Sequence, residues 1–357
     1  MGIATGGIAA LAMTPWSIPS FRNRNNLCSF GQTSPKAKGA IPVCTAVSYT
    51  SGDHYFGRNL DLERSYGECV TVTPRNFPLT FRQTASLHQH HALIGTAAVA
   101  QGYPLYFEAT NEKGLSMAGL NFPGNAVYGS YVQGKKNIAP FELIPWLLGQ
   151  CNDLSDAKKL LAQVHIVDER FSDDLPVTPL HWLISDKTGS VTLECTGSGM
   201  TVFDNPYGVL ANNPPFDYHL HNIHHYMSLH EGGADNRLSP HLPLSNISLG
   251  LGAYGLPGDF SSSSRFVKAL FVKEKLLPGK TETENVHQFF KILQSVAMPR
   301  GCVRLPDGQY EYTRYSCCCT DSGDYYFTTY DSPTVRRISL AASDPRGNTL
   351  KCFPMDE

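Results

Sequence analysis

Short apolar runs separated by turn residues dominate the chain from Cys44 onward. The runs are rich in Val, Thr, Ala, Tyr and Phe and are bounded by Gly, Pro, Asn or Asp, a pattern typical of β-strands joined by tight turns. Residues 51–53, Ser-Gly-Asp, form the first predicted hairpin turn. The strands predicted in this part are CTAVSY, HYFGRN, CVTVTP, HALIGTAAVA, PLYFEAT and GLSMAGLNF. The folded part of the chain is therefore predicted to begin at Cys44.

Helical patterns follow in two later blocks. Apolar spacings of three and four residues and Ser or Asp caps predict helices at FELIPWLLGQC, LSDAKKLLAQV, residues 216–229, SSRFVKALFVKEKLL and TENVHQFFKILQSV. Further strands are predicted at LHWLISD, SVTLECT, MTVFDN, QYEYTRYSCCC and DYYFTTY, the last two closing the domain. Because strands and helices come in blocks rather than in regular alternation, we expect two sheets with helices on their outer faces, in one domain over residues 44–357.

Residues 1–43 differ in texture from the rest of the chain. They are rich in Gly, Pro, Ser and Asn, and their apolar patch has neither a preceding Lys or Arg nor a clear small-residue cleavage pattern. This composition predicts a disordered tail rather than a secretory signal. No run of about 20 apolar residues occurs, so no transmembrane helix is predicted.

Charge and cysteine content narrow the class of protein. The 29 Lys and Arg residues nearly balance 31 Asp and Glu residues, and this formal charge of −2 favours neither nucleic acid nor an anionic membrane as a partner. The 10 cysteines are scattered over 357 residues without a C-x-x-C pair, which predicts reduced thiols rather than a disulfide scaffold or a metal site. The run Cys317–Cys319 is predicted to lie in a strand.

The strongest local signal is the segment CTAVSYTSGDHYFGRNLDLE. A cysteine opens its first strand, and Arg58 and Asp61 lie near the end of its partner strand. A two-stranded hairpin brings these ends side by side, so Cys44 is expected beside Arg58 and Asp61. Arg58 would lower the pKa of the thiol, and Asp61 would hold the amine of residue 44.

Seven segments in this order resemble the choloylglycine hydrolase family, to which bile salt hydrolases and penicillin V acylases belong. They are FGRNLD, VTPRNFPL, NEKGLSMAGLNFPGNA, PLHWLISD, VLANNPPFDYHL, GLPGDFSSSSRFVKA and YEYTRYS, and the match runs from Cys44 to about Tyr330. The resemblance implies an α+β fold, a four-layer αββα sandwich of two antiparallel sheets flanked by helices. It also implies a nucleophile at the first residue of the mature chain, and neither metal nor cofactor.

Residue by residue, the resemblance implies that Cys44 is the nucleophile. The companions that it implies are Arg58 and Asp61 in FGRNLD, Asn121 in AGLNFPG, Asn212 in LANNP and Arg265 in SSRFVKA. A free α-amine has a pKa of about 8 and can take the thiol proton at neutral pH without a histidine. Asn121 and Asn212 are expected to donate hydrogen bonds to the oxyanion. Arg58 and Arg265 are expected to stabilise the negative charges of the thiolate and of the intermediate.

The position of Cys44 departs from the family pattern, because 43 residues precede it. An uncleaved Cys44 has no α-amine and would lack its base. Two explanations are open. Val43 stands where an initiator encoded by GTG would be decoded as Met, and this is the favoured explanation because the tail lacks a convincing export signal. Alternatively, residues 1–43 are a pro-peptide that is removed later.

Substrate and assembly are expected from the same resemblance. Asn121 is typical of bile salt hydrolases where penicillin acylases commonly have Tyr, so glycine- or taurine-conjugated bile salts are the expected substrates. The candidate liners of a wide apolar pocket are Leu60, Ala100, Phe171 and Leu175. A homotetramer in the bacterial cytoplasm is expected, without membrane or nucleic-acid partners.

Three alternatives stay open. One is an acylase for penicillin V or acyl-homoserine lactones, and another is an inactive homologue whose tail blocks the site. The third is a zinc-binding or interaction protein, because His221 and His225 would lie on one helical face. It would be built on His88, His90, His91, His219, His221, His224, His225 and His230.

Overall fold

The computed structural model describes residues 43–355. Its strands are β1 (Val43–Ser51), β2 (Asp53–Leu62), β3 (Glu68–Thr73), β4 (Leu93–Ala100), β5 (Tyr103–Asn111), β6 (Ser116–Asn121), β7 (Lys136–Ile138), β8 (Val164–Ile166), β9 (Leu180–Asp186), β10 (Gly189–Thr196), β11 (Gly199–Asp204), β12 (Val209–Leu210), β13 (Val303–Arg304), β14 (Tyr310–Thr320), β15 (Asp324–Thr329), β16 (Arg336–Ser339) and β17 (Lys351–Pro354). Its α-helices are α1 (Leu143–Leu148), α2 (Leu154–Leu161), α3 (Phe216–Asn222), α4 (Ser262–Lys275) and α5 (Glu282–Ser295). Short 3-10 helices lie at Pro140–Glu142, Ile223–Tyr226 and Leu251–Ala253.

The strands form two antiparallel sheets that pack face to face. The first sheet has the order β12-β1-β2-β14-β15-β16, with β13 beside β14, and the second has the order β11-β10-β9-β6-β5-β4-β3-β17. A separate small pair, β7 and β8, is parallel. Strands β1 and β2 of the first sheet lie against β5, β6 and β9 of the second. The alternation of side chains along each strand lets one face of each sheet meet the other sheet while the opposite face meets helices.

Helices cover both outer faces and complete four layers. Helices α4 and α5 pack on the first sheet, and α1 and α2 pack on the second. One apolar core joins the two sheets to α4 and α5, with Phe56, Phe266 and Phe289 among its buried members. A second core lies between the other sheet and α1, around Trp146 and Trp182. The predicted α+β sandwich with the layer order αββα is therefore confirmed.

Several element boundaries differ from the sequence predictions. The helix predicted over 216–229 ends at Asn222 and continues only as a 3-10 turn, because none of residues 223–229 is buried against the core. The helix predicted to reach Val164 ends at Leu161, since Val164 and Ile166 are buried in the pairing of β8 with β7. Strands β16 and β17 follow the two strands predicted to close the domain. Both are short and partly exposed, so they carry little apolar pattern.

Two sequence predictions about membranes and tails have different outcomes. Within residues 43–355, no helix is long and apolar enough to cross a bilayer. The predicted disordered tail over 1–43 falls almost wholly outside the described residues. Only Val43 of that segment is described, as the first residue of β1.

A buried polar cluster at the turn end of the first hairpin joins the two sheets. Ser48 Oγ lies 3.1 Å from His54 Nε2 and 2.6 Å from Ser185 Oγ, and the latter lies 3.0 Å from His54 Nε2. Burial lowers the pKa of His54 to about 4, and the nearby charge of Asp186 opposes this only in part. His54 is therefore neutral in the folded protein at mildly acidic pH.

This burial predicts a loss of stability in acid. The pKa of a histidine in an unfolded chain is about 6.5. Between pH 6.5 and pH 4 the unfolded state therefore binds a proton that folded His54 does not bind, and the free energy of unfolding falls by on the order of 3 kcal/mol. His54→Gln should lose less stability over this interval. Urea denaturation at pH 7 and pH 4.5 measures the difference, with the exposed His225→Gln as the control. Equal pH dependence in both variants would contradict the prediction.

Candidate active site

The hairpin of β1 and β2 organises the candidate site. Cys44 pairs with Leu60 across the hairpin, while Ala46 pairs with Arg58 and Val43 with Asp61. Cys44 and Arg58 are therefore diagonal neighbours on one face, and Asp61 lies on the opposite face. The expected meeting of the cysteine with the far end of the second strand is confirmed, although the side chains divide between the two faces of the sheet.

Arg58 lies between the sheets and is completely buried. Its Nη1 donates to the carbonyl oxygens of Phe107 at 3.0 Å and Gly119 at 2.6 Å, both in the second sheet. Its Nε lies 3.9 Å from Glu108 Oε2. Among the described residues its Nη2 has no hydrogen-bond partner. Its Nε also donates to the carbonyl oxygen of Asn59 at 3.4 Å. Three carbonyls thus hold the guanidinium of this diagonal neighbour of Cys44 and leave one NH2 group uncommitted.

Asn212 follows β12 and reaches the backbone of the cysteine. Its Oδ1 accepts from Cys44 N at 2.7 Å and from Arg265 Nη2 at 2.9 Å. Its Nδ2 donates to the carbonyl oxygen of Asn121, the last residue of β6, at 2.7 Å. One amide therefore joins the first sheet, the second sheet and α4 at the nitrogen of residue 44.

Arg265 comes from the first turn of α4. Ser261 caps this helix, since its side chain accepts from the backbone N–H of Ser264. Arg265 Nη1 donates to Cys44 O and to Thr45 Oγ1, each at 2.5 Å, and its side chain is buried. Burial lowers the pKa of Arg265, and the carboxylate of Asp61 opposes this effect. The helix thus delivers a positive charge to the backbone that carries the thiol.

Asp61 faces the helical layer rather than the thiol. Its Oδ1 accepts from Thr313 Oγ1 at 2.5 Å, and its Oδ2 has no hydrogen-bond partner among the described residues. Burial raises the pKa of Asp61 to about 6, although Arg265 opposes the rise. With Val43 attached, Asn212 and not Asp61 accepts from the nitrogen of residue 44. The expected hold of Asp61 on a free amine stays a prediction.

Glu311 of β14 is a member of the site that the sequence reasoning missed. Its Oε1 accepts from the backbone N–H of Val43. Burial raises the pKa of Glu311 to about 8, and the neighbouring charge of Asp61 adds to the rise. Glu311 stands in the segment YEYTRYS, which carried part of the family resemblance, so the signal was present. Two buried carboxyl groups therefore flank the bond between residues 43 and 44.

The thiol of Cys44 is shielded from water, with 2% of the residue exposed. Burial raises its pKa, and Arg58 is the strongest of the charges that oppose the rise, as the sequence analysis expected of this arginine. Asp61 and Glu311 raise the pKa further, whereas Arg265 lowers it. Because the net effect is a raised pKa, the thiol needs a base close by to become a nucleophile.

The four candidate pocket liners form two groups. Leu60 is the cross-strand partner of Cys44. Ala100 ends β4 at the turn before Tyr103, and Phe171 packs on Tyr103 at a ring distance of 6.1 Å and on Phe141 at 5.3 Å. Leu175 belongs to the same loop, where its N–H donates to Ser172 O. Leu60 is thus brought to the cysteine, while Phe171 contacts the first residue of β5.

The histidines do not converge. Within residues 43–355, no group of three His, Cys, Asp or Glu side chains is placed to hold a metal ion. His90 is occupied by the carbonyl oxygens of His91 and Phe77, and buried His219 stacks on Phe266 at 4.5 Å. His221 and His225 stand on α3 and the following 3-10 turn, not on one helix. The geometry offers nothing in favour of the zinc alternative.

The buried strand cysteines behave as the sequence predicted. Cys317, Cys318 and Cys319 all lie in β14 and are buried. Each of the three carries a free thiol. Cys302 differs from the others because it is exposed.

The fold and the site together define a class of hydrolase, and comparisons with known proteins agree. Residues 44–352 match the model of the linear amide C–N hydrolases, choloylglycine hydrolase family. A bile salt hydrolase/transferase of Lactiplantibacillus plantarum is 49% identical over 314 residues, which cover 88% of this chain and 97% of the relative. A bile salt hydrolase/transferase of Clostridium perfringens is 35% identical over 320 residues, covering 87% of this chain and 96% of the relative.

Solved structures give the same result. A variant of conjugated bile acid hydrolase from Clostridium perfringens has a TM-score of 0.81 at 34% identity, over 87% of this chain and 97% of that chain. Penicillin V acylase from Agrobacterium tumefaciens shares the fold, with a TM-score of 0.69 at 19% identity over 87% of this chain and 90% of that chain. The architecture is that of the N-terminal-nucleophile hydrolases. The chain belongs to the choloylglycine hydrolase family, whose members hydrolyse the C–N bonds of linear amides.

Proposed function

We propose that this enzyme hydrolyses the amide bond of glycine- or taurine-conjugated bile salts, releasing the bile acid and the amino acid. The observation that carries the proposal is the convergence of Arg58, Asn212 and Arg265 on Cys44 in a chain 49% identical to a bile salt hydrolase/transferase. The presence of Asn at position 121, where the family resemblance associates Tyr with penicillin acylases, supports a bile salt rather than a penicillin as substrate.

The base in this proposal is the α-amine of Cys44. An α-amine has a pKa of about 8, so part of it is neutral at pH 7 and can accept the thiol proton. Asn212 Oδ1, which accepts from this nitrogen at 2.7 Å, orients it. While Val43 is attached, the nitrogen belongs to an amide and cannot act as a base. The active protein must therefore lack the bond between Val43 and Cys44.

Catalysis then proceeds in two halves. The thiolate attacks the amide carbonyl carbon, and donors from Asn121 and Asn212 stabilise the oxyanion that forms. The C–N bond breaks as the α-ammonium returns its proton to the leaving nitrogen, which frees glycine or taurine and leaves a cholyl thioester on Cys44. Water, deprotonated by the same amine, hydrolyses the thioester. Arg58 favours the thiolate in both halves, and the Asp61 carboxylate holds the charged amine.

The acyl group is proposed to lie on an apolar surface that begins at Leu60. Leu60 neighbours Cys44, and Phe171 adds an aromatic face that packs with Phe141 and Tyr103. Ala100 and Leu175 complete the proposed liners. A steroid needs a wide apolar surface of this kind, because most of its own surface is buried on binding.

Mature residues 44–357 are proposed to form the working domain. Either translation starts at residue 43 and that residue is lost, or residues 1–43 are removed as a pro-peptide. The contact of Glu311 with Val43 N–H supports a site able to accommodate a residue before the cysteine. After cleavage, Glu311 and Asp61 would provide two carboxyl groups near the new ammonium.

The test combines intact mass with a substrate panel. We expect a mass that begins at Cys44, and release of glycine and taurine from conjugated bile salts at least about 100-fold faster than release of the side-chain acid from penicillin V. Preferred cleavage of penicillin V or of acyl-homoserine lactones would replace the substrate assignment. A fully active protein that retains residue 43 would overturn the α-amine as the base.

Assembly and location are proposals of the same kind. We propose a homotetramer, which the exposed apolar side chains of Met227, Leu238, Ile247, Leu249 and Tyr254 support. Light scattering at the elution peak should give four times the chain mass. The free thiols of Cys317, Cys318 and Cys319 support a reducing compartment such as the bacterial cytoplasm.

A further inference from the structure

A carboxylate and two tyrosine hydroxyls lie between the sheets beside Arg58, and the proposed chemistry does not use them. Glu108 Oε2 accepts from Tyr315 OH at 2.6 Å, and Glu108 Oε1 accepts from Tyr325 OH at 2.6 Å and from Thr96 N at 3.0 Å. Its distance to Arg58 Nε is 3.9 Å. The carboxylate is therefore an ion partner of Arg58 that is held in place by donors other than Arg58.

A β-bulge creates this arrangement. Thr96 pairs with Glu108 and Ala97 with Tyr106, so Phe107 is an extra residue in β5. The bulge turns the Phe107 carbonyl to Arg58 Nη1 and the Glu108 side chain into the space between the sheets. Gly95 on the opposite strand permits the close approach, because a Cβ there would lie 2.0 Å from the Glu108 carbonyl oxygen. Bulges of this kind occur preferentially next to active sites.

We propose that Glu108 is a positioning residue for the reaction: Tyr315 and Tyr325 hold its carboxylate short of a direct hydrogen bond with Arg58, which leaves the Arg58 charge directed at Cys44. A buried guanidinium without any counter-charge is costly, whereas one closely paired with a carboxylate would act weakly on a third group. The 3.9 Å between Arg58 Nε and Glu108 Oε2, which the tyrosines maintain, gives Arg58 a counter-charge without a direct hydrogen bond to it. The inference rests on the proposed function only where it concerns turnover.

The groups that act on this network come from both sheets and from α4. Those charged or titratable groups are Cys44, Arg58, Asp61, Glu108, Arg265, Glu311, Tyr315, Cys317 and Tyr325. Burial raises the pKa of Glu108, and Arg58 is the strongest influence that opposes the rise. Arg58 has the largest lowering effect on the thiol of Cys44. Changes at Glu108 should therefore be felt at the thiol through Arg58.

Two substitutions should move the thiol in opposite directions. In Tyr315→Phe, Glu108 Oε2 loses a donor and closes on Arg58, so the thiol pKa should rise by about one unit. In Glu108→Gln, the counter-charge is gone while Phe107 O and Gly119 O still hold Arg58, so the thiol pKa should fall by a similar amount. In the double variant, the effect of Tyr315→Phe should vanish, since no carboxylate remains to close on Arg58.

The measurement is the pH dependence of iodoacetamide labelling of Cys44, followed on its own peptide by mass spectrometry because Cys302 is exposed. Tyr106→Phe is the matched control for Tyr315→Phe. It removes a buried hydroxyl that is bonded to Thr73 Oγ1 at 2.7 Å and lies in the other core, on β5, the strand of Glu108. For turnover, Tyr315→Phe should lower kcat about fivefold or more with KM changed by less than about twofold.

The outcomes separate this inference from the proposed function. Opposite shifts in Tyr315→Phe and Glu108→Gln, with none in Tyr106→Phe, support it, and labelling reports this even if bile salts prove not to be substrates. Unchanged labelling profiles, or equal shifts in the control, overturn it even if bile salts are hydrolysed. Circular dichroism confirms folding, and Tyr315→Phe keeps the test decisive if Glu108→Gln fails to fold.

Discussion

Replacing Cys44 with alanine should lower kcat/KM for conjugated bile salts by about 10⁴-fold or more, because no other group at the site can form the thioester. The side chains that contact or neighbour the cysteine are those of Arg58, Asn212 and Arg265, and neither a guanidinium nor a carboxamide group is a nucleophile at neutral pH. The backbone of residue 44 keeps its bonds to Asn212 and Arg265 in the variant. The fold should consequently be unchanged. Release of free glycine and taurine measures the loss.

The matched control for this substitution is Cys302→Ala. Cys302 is exposed and lies outside the site, so its replacement should leave kcat/KM within about twofold of the parent. Cys44→Ala protein with a native circular dichroism spectrum that retains one hundredth of the parent activity would overturn Cys44 as the nucleophile.

Replacing Asn212 with alanine should lower kcat by about 10² to 10³-fold, with a much smaller change in KM. The side chain of Asn212 accepts from the nitrogen that is the proposed base, holds the Asn121 carbonyl, and is a proposed donor to the oxyanion. Its contacts with the nitrogen of residue 44 and with the oxyanion matter most in the transition state. Because Arg265 Nη2 also loses an acceptor, some loss of thermal stability should accompany the change.

The neighbouring residue provides the control for Asn212. Asn213 Nδ2 donates to Pro123 O at 2.6 Å, so Asn213→Ala removes a comparable side-chain hydrogen bond one residue further along the chain from Asn212. Steady-state kinetics of both variants with one conjugated bile salt should separate them by at least about tenfold in kcat. Equal losses would show that Asn212 acts on the loop and not on the reaction.

The part of the site that lies on the β1–β2 hairpin could be predicted from sequence. The turn residues and the alternation of apolar and polar positions are enough to predict the pairing of a hairpin. The pairing of Cys44 with Leu60 follows from the turn at residues 51–53, and Arg58 then falls beside the cysteine. Asn212 and Arg265 come from distant segments, and only the family resemblance could place them. Their contacts with Cys44, at sequence separations of 168 and 221 residues, depend on how the sheets and α4 pack.

The sequence patterns did not predict the placement of two buried glutamates or the presence of two short strands. Glu108 reads as an ordinary polar position in PLYFEAT, and a one-residue bulge decides that it points between the sheets. Glu311 lies in an alternating strand whose pattern assigns it no partner, yet it accepts from Val43. The short strands β16 and β17 were missed because tertiary pairing, rather than apolar periodicity, stabilises them.

The central place of the first hairpin has a consequence for how the protein folds. Strand β1 lies between β12 and β2, and β2 in turn lies against β14, where Asp61 and Thr313 meet across 252 positions of the chain. Pairings at such separation are slow to form, because the intervening chain must first be brought together. Although the hairpin leaves the ribosome early, its partner β14 is synthesised only near the end of the domain. A nascent chain therefore carries its proposed nucleophile as an unassembled thiol until translation of the domain is nearly complete.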